Sequence, residues 1–172
     1  MKITAVAFAA VMLLLFTVSC TNTEQVSNGD AVKRAIEQAD LKDVSVSEDR
    51  DKRTITLGGK VHSNDAKQRA GQVAQAAAGN ETVANEISVE PVGDESASRK
   101  IESNLDDGIE SNYKAALIAS GLDKQDISYN AKNGVLTLKG SCKTSDQRQH
   151  AAQLASKVPH VTQVVNTIAL KH

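Results

Sequence analysis

The chain has 172 residues, 40% hydrophobic and 24% charged, with a formal net charge of −1. That length admits one ordinary domain or two small ones; the charged fraction argues against wholesale disorder, and a near-zero balance argues against a nucleic-acid binder, because it supplies no field to hold a polyanion. There is no Trp, both Phe residues (Phe8 and Phe16) lie near the start, and only Tyr113 and Tyr129 follow, so stacking platforms for bases or sugars are missing and any core is built from Val, Ile, Leu and Ala.

Lys2 precedes an uncharged run from Ile3 to Ser19 that ends at Cys20, after which the composition turns polar. A positive start and an apolar middle are the parts of a secretory signal, and the run is short for a membrane span, which needs ~20 apolar residues. Thr17-Val18-Ser19-Cys20 resembles a bacterial lipobox, with Thr17 where Leu is usual. That resemblance implies a lipoprotein signal peptide over 1–19, lipidation at Cys20 and an anchor linker over 20–27. Thr21 after the Cys implies sorting to the outer membrane, facing the periplasm. Plain secretion and an uncleaved anchor are the alternatives. Removing the signal takes Lys2 from the 20 basic residues, leaving 19 against 21 acidic ones. With Cys20 acylated, Cys142 is the only thiol left, so no intrachain disulfide forms.

The body of the chain is an internal duplication. At an offset of 81 residues, Gly59–Val89 aligns without gaps onto Gly140–Leu170, with identities at Gly59/Gly140, Asp65/Asp146, Gln68/Gln149, Ala70/Ala151, Ala74/Ala155, Val83/Val164, Asn85/Asn166 and Ile87/Ile168. The same offset pairs Ala35-Ile36 with Ala116-Leu117 and Leu41 with Leu122. One register kept across helix, turn and strand marks a tandem repeat.

In chain order, Val32, Ala35, Ile36 and Ala39 have helical spacing over 31–39, and Val44 to Ser47 alternates as a strand does. A turn around Glu48–Lys52 leads to a strand over Thr54–Val61, then Ser63-Asn64-Asp65 predicts an N-cap for an Ala-rich helix over 67–78. Val83–Val89 closes the module as a strand. Glu90 to Ser96 reads as a linker, with Pro91 and Gly93. An acidic helical extension with Ile101, Leu105 and Ile109 precedes the second copy and has no counterpart in the first. The second copy predicts a helix to about Ser120, strands at Ile127–Asn130 and Val135–Cys142 joined by the hairpin dipeptide Asn133-Gly134, a helix capped by Ser145-Asp146 and ending near Val158-Pro159, and a last strand at Val164–Leu170. The fold class is therefore α+β, with two tandem α-β-β-α-β modules, each a small three-stranded mixed sheet packed on two helices. The boundaries expected are 28–90 for the first module, 91–98 for the linker and 99–171 for the second.

The strand ending in Gly, then Val/Cys, Ser/Thr, Asp and Ala at fixed spacing, followed by Val158-Pro159-His160-Val161 and Val164-Val165-Asn166, resembles the BON domain (bacterial OsmY and nodulation). Two copies behind a lipobox resemble the dual-BON outer-membrane lipoproteins. This implies association with phospholipid membrane surfaces and a part in envelope integrity or osmotic-stress tolerance. The alternative is a periplasmic protein-interaction adaptor that the lipid merely localises.

No chemistry-bearing constellation competes with that reading. Gly59 and Gly140 read as structural glycines where a neighbouring helix or strand leaves no room for a side chain. Asp65 and Asp146 read as helix-start acids rather than catalytic carboxylates, and Asn85 and Asn166 as local hydrogen-bonding residues. His62, His150, His160 and His172 show no ligand spacing, and Cys142, opposite Val61 in the repeat, reads as a small buried hydrophobe. There is no phosphate loop or nucleophile elbow, so no enzyme, cofactor or metal is expected. The residues expected to contact anionic headgroups are Lys60, Lys67 and Arg69 in the first copy and Lys139, Lys143 and Arg148 in the second, around the same strand-to-helix corner, with Tyr113 as an interfacial aromatic, half-buried core packing being the alternative for it. The acidic stretch Glu102, Asp106, Asp107 and Glu110 counts against strong attraction to anionic bilayers.

Overall fold

The computed structural model describes residues 27–171; the signal segment (1–19), Cys20, the anchor linker up to residue 26 and His172 lie outside the described residues. The first module comprises α1 (Asn28–Gln38), β1 (Val44–Asp49), β2 (Thr54–Val61), α2 (Asn64–Ala77), β3 (Thr82–Asn85) and β4 (Ser88–Val89). The second comprises α3 (Glu95–Ala119), β5 (Asp126–Lys132), β6 (Val135–Cys142), α4 (Ser145–Ser156), β7 (Gln163–Asn166) and β8 (Ala169–Leu170). In each, the central strand pairs antiparallel with the strand before it and parallel with the two short strands that follow the second helix. The architecture is the expected α+β duplication.

One expectation needs correction: the closing strand of each module is two strands, not one. Pairing runs to Leu57↔Asn85 and resumes at Lys60↔Ser88. Between them Ile87 turns fully into the core while Glu86 keeps a backbone bond to Leu57. Gly59 sits opposite this break with φ +90°, and Gly140 stands at the matching break of the second module with φ +95°. A Cβ on either glycine would collide with the carbonyl oxygen of Asp43 or Asp126 on the neighbouring strand. Left-handed backbone and a crossing carbonyl together demand glycine there.

Both helices of a module cover one face of its sheet. Ile55, Leu57 and Val61 of β2 bury against Val32 and Ile36 of α1 and Ala70 and Ala74 of α2. Leu136, Leu138 and Cys142 of β6 bury against Ile109, Tyr113 and Leu117 of α3 and Ala151 and Ala155 of α4. Cys142 is fully buried, as its strand position implies. The β5–β6 hairpin turns on Asn133 (φ +50°) and Gly134 (φ +82°), the two successive left-handed residues that a tight hairpin of matching twist requires.

The helix starts refine the capping assignments. Ser63 caps α2 by accepting from the Ala66 N–H, with Asp65 in the first turn. The second-module cap is Thr144, which accepts from the Gln147 N–H, whereas Ser145 is already helical. Asp146 then serves the macrodipole from the first turn rather than capping. The linker is also shorter than composition suggests: α3 begins at Glu95 and runs unbroken for 25 residues, because the acidic extension and the first helix of the second copy share one helical register.

Candidate functional site

Three surfaces emerge from this fold: the cationic corner of each module, the junction between modules, and the outer side of α3. At the first corner, Lys60 ends β2 in the open, beside a shallow groove lined by Asp40, Leu41, Lys42, Asp43 and His62. Arg69 on α2 is exposed and donates to the Ala39 carbonyl. Asp40 and Lys42 form an exposed pair at 2.9 Å, which holds the Asp40 carboxyl below and the Lys42 ammonium above their ordinary ranges. Lys42 belongs to this corner although its position in the repeat did not mark it. At the second corner Lys143 is exposed and Arg148 half-buried. Asn85 and Asn166 tie each corner to its sheet, donating side-chain N–H bonds to the Lys67 and Arg148 carbonyls.

The other expected contacts lie elsewhere. Tyr113 is fully buried, stacks edge-on against Tyr129 with ring centroids 5.0 Å apart, and donates its hydroxyl to the Ala151 carbonyl. Burial pushes its phenol well above the ordinary range. It is a core residue and presents nothing to a headgroup. Lys67 is half-buried at the junction, donating to the Asn133 carbonyl at 3.0 Å, and burial lowers its pKa despite nearby Glu102 and Asp106. Lys139 is exposed but lines the cleft between the modules with Asp49, Glu86 and Thr137, and its charge acts on both carboxylates. Lys67 is thus engaged by the second module, and Lys139 faces Asp49 and Glu86 of the first across the cleft.

The junction itself is mostly polar. Its apolar part is a cluster of Ala84, Val135 and Val165. Around it, the Gln163 side chain donates to the Val83 carbonyl and accepts from the Asn85 N–H. That amide occupies the open edge of β3 as a neighbouring peptide would, which blunts the edge. Lys132 approaches Glu86 at 3.8 Å, and burial raises the Glu86 pKa.

On α3, Glu102 accepts from the Val89 N–H at 3.0 Å, Asp106 from the Asn133 and Gly134 N–H groups at 2.8 and 3.1 Å, and Glu110 from the Ala131 N–H at 2.8 Å. Three of the four acids of the extension thus face backbone donors, leaving Asp107 exposed. The outer side of the helix carries Ile101 and Ile118, which are 59% and 56% exposed, whereas Leu105, 40% exposed, lines the groove between the modules with Glu102, Asp106 and Asn133. Lys100, Lys114 and Ile118 fall along one line of that side, at four- and five-turn spacing.

Among the described residues no group of three or more His, Cys, Asp or Glu could hold a metal ion, and no helix is long and apolar enough to cross a membrane. His62 contacts the Glu90 carbonyl through Nδ1 at 2.9 Å, a local contact of the chain leaving the first module.

These features have relatives. An uncharacterized protein in the gshII 5'region of Anaplasma centrale is 30% identical over 130 residues, covering 75% of this chain and 81% of that protein. Two structures of CdsD, a structural protein of the Type III secretion system of Chlamydia trachomatis, align at 13% identity. One, of the C-terminal domain, has a TM-score of 0.35 and covers 83% of this chain and 96% of its own. The other has a TM-score of 0.36 and covers 82% and 90%. The BON-domain family model matches residues 28–91 and 105–171, one match on each α-β-β-α-β repeat. The chain belongs to the BON-domain family, in a tandem two-domain form, and so to a class of modules known to bind membranes and phospholipids.

Proposed function

We propose that this is a non-enzymatic lipoprotein of the cell envelope, anchored through Cys20 in the outer membrane and facing the periplasm, whose two BON modules read phospholipid surfaces and thereby support envelope integrity under osmotic stress. The observation that carries the reading is the outer side of α3, where Ile101 and Ile118 stay exposed beside Lys100 and Lys114. Exposed isoleucines on a helix side bearing lysines suit the headgroup boundary, where apolar burial and attraction to anionic lipid act together. Three of the four carboxylates that argued against such attraction bond backbone N–H groups instead of facing outward, with Asp107 exposed. Exposed Lys60, Arg69 and Lys143 supply further cations, each contributing ~1 kcal/mol near an anionic surface.

The test is co-sedimentation of residues 21–172 with anionic and zwitterionic vesicles at low and high salt, so that the modules answer without the acyl anchor. The expected result is binding to anionic vesicles that salt weakens. Serine at Ile101 and Ile118 is expected to lower it more than alanine at Lys60 and Lys143. Absence of binding under every condition overturns the lipid-reading role, leaving the anchor as the membrane contact and protein partners as the function.

A further inference from the structure

Glu102 and Asp106 lie one helical turn apart on α3 yet bond different modules. Glu102 accepts from Ser88 Oγ and the Val89 N–H, the last strand of the first module. Asp106 accepts from the Asn133 and Gly134 N–H groups, the hairpin turn of the second. That turn is held from three directions. Besides Asp106 on its N–H, Asn133 receives Lys67 Nζ on its carbonyl, and its side-chain amide donates to the Glu86 carbonyl at 2.7 Å. Lys67 and Glu86 both belong to the first module. Carboxylate bonds to backbone N–H groups are charge-assisted, about twice as strong as neutral ones.

The other bonds and contacts across the junction include the apolar contact of Ala84, Val135 and Val165, the Gln163 amide on the β3 edge, the Lys132–Glu86 pair at 3.8 Å and the Arg99–Glu90 pair at 2.8 Å. The covalent connection from Pro91 to Asp94 is exposed, with Gly93 at φ +93°. Such a connection alone would let two modules reorient freely.

We propose that the N-terminal half of α3 is a clasp, with Glu102 as the jaw on the last strand of the first module and Asp106 as the jaw on the Asn133 turn that Lys67 and Glu86 of the first module also hold, which makes the two BON modules one cooperative folding unit in a fixed orientation. The clasp has no counterpart within the first module, whose first helix is 11 residues against 25 in the second. The duplication thus became a single body through the extension that only its second copy carries. This inference is independent of lipid binding.

The experiment compares the full chain with its Glu102→Gln/Asp106→Asn double variant by scanning calorimetry and amide hydrogen exchange. The parent is expected to unfold in one transition. The double variant is expected to unfold in two, with exchange at Val89, Asn133 and Gly134 faster by at least about tenfold, since each amide loses a hydrogen bond to a charged acceptor. Asp107→Asn, an exposed acid on the same helix, is expected to change neither readout. Should the double variant fail to fold, Asn133→Gly keeps the left-handed turn, removes the link to Glu86, and is expected to separate the transitions partially. Two transitions in the parent overturn the proposal. So does a single transition retained by the double variant, or by Asn133→Gly if that variant is needed, whatever the exchange rates show.

Discussion

The two modules keep one backbone plan over different cores. Where the first has Val32 on α1 and Val46 on β1, the second has Tyr113 and Tyr129, perpendicular rings that fill the space between α3 and the sheet. Val32 lets α1 lie directly on the Ala-rich α2, whereas Tyr113 reaches across to the Ala151 carbonyl and α3 touches α4 less extensively. The strand register and its glycines are the same in both. The helix-to-helix separation is therefore the adjustable dimension of this fold, and the sheet with its broken closing strand is the fixed one, since ladder hydrogen bonds tolerate less displacement than apolar contacts do.

The sharpest way to break this comparison is to empty the larger core. Tyr113→Ala is expected to cost about 3–5 kcal/mol, as for other buried aromatics, against about 2 kcal/mol for Val32→Ala at the matching place in the first module; urea denaturation measures both. Tyr113→Phe, which leaves the ring and orphans the Ala151 carbonyl contact, is expected to cost about 1 kcal/mol. If the sheet is the fixed dimension, Gly59→Ala and Gly140→Ala should cost the same as each other, about 3 kcal/mol, because each meets a left-handed φ and a neighbouring carbonyl. Unequal losses would show that one module accommodates the break in its closing strand differently.

Smaller effects sharpen the comparison at the helix starts and the junction. Ser63→Ala and Thr144→Ala should each cost about 1 kcal/mol, while Ser145→Ala, already helical, should change the denaturation midpoint little. The pH dependence rests on Glu86, whose pKa burial raises. The folded chain then holds a proton that the unfolded chain has released, so stability falls as pH rises through the carboxylate range and is regained as pH drops. Glu86→Gln is expected to flatten that part of a midpoint-against-pH profile, with less than about 1 kcal/mol of change near neutrality because Lys132 offsets part of the penalty.

How far the sequence was legible follows from what periodicity encodes. The repeat at 81 residues, the helix and strand order, the Asn133-Gly134 hairpin and the inward position of Cys142 all depend on neighbours within a few residues or on the second copy of the same pattern. Each was readable from spacing alone. The split of the closing strands was hidden because Ile87 and Ile168 keep the apolar rhythm while leaving the ladder. The cap at Thr144 was missed by one residue because Thr and Ser both serve at a helix start.

The fate of the charged residues was another matter. Lys67 and Arg148 are equivalent in the repeat and indistinguishable by pattern, yet one is drawn into the junction and the other stays at its corner. Glu102, Asp106 and Glu110 read as a solvated acidic stretch, and each bonds a backbone N–H. Tyr113 had the amphipathic character of an interfacial residue and is sealed in a core. A sequence pattern determines which residues share a face of an element, because helix and strand geometry repeat locally. What covers that face depends on where a distant segment is placed. Here the placement of one module against the other, through Ala84, Val135, Val165 and the bonds around Asn133, decided which lysines and carboxylates remain at the surface.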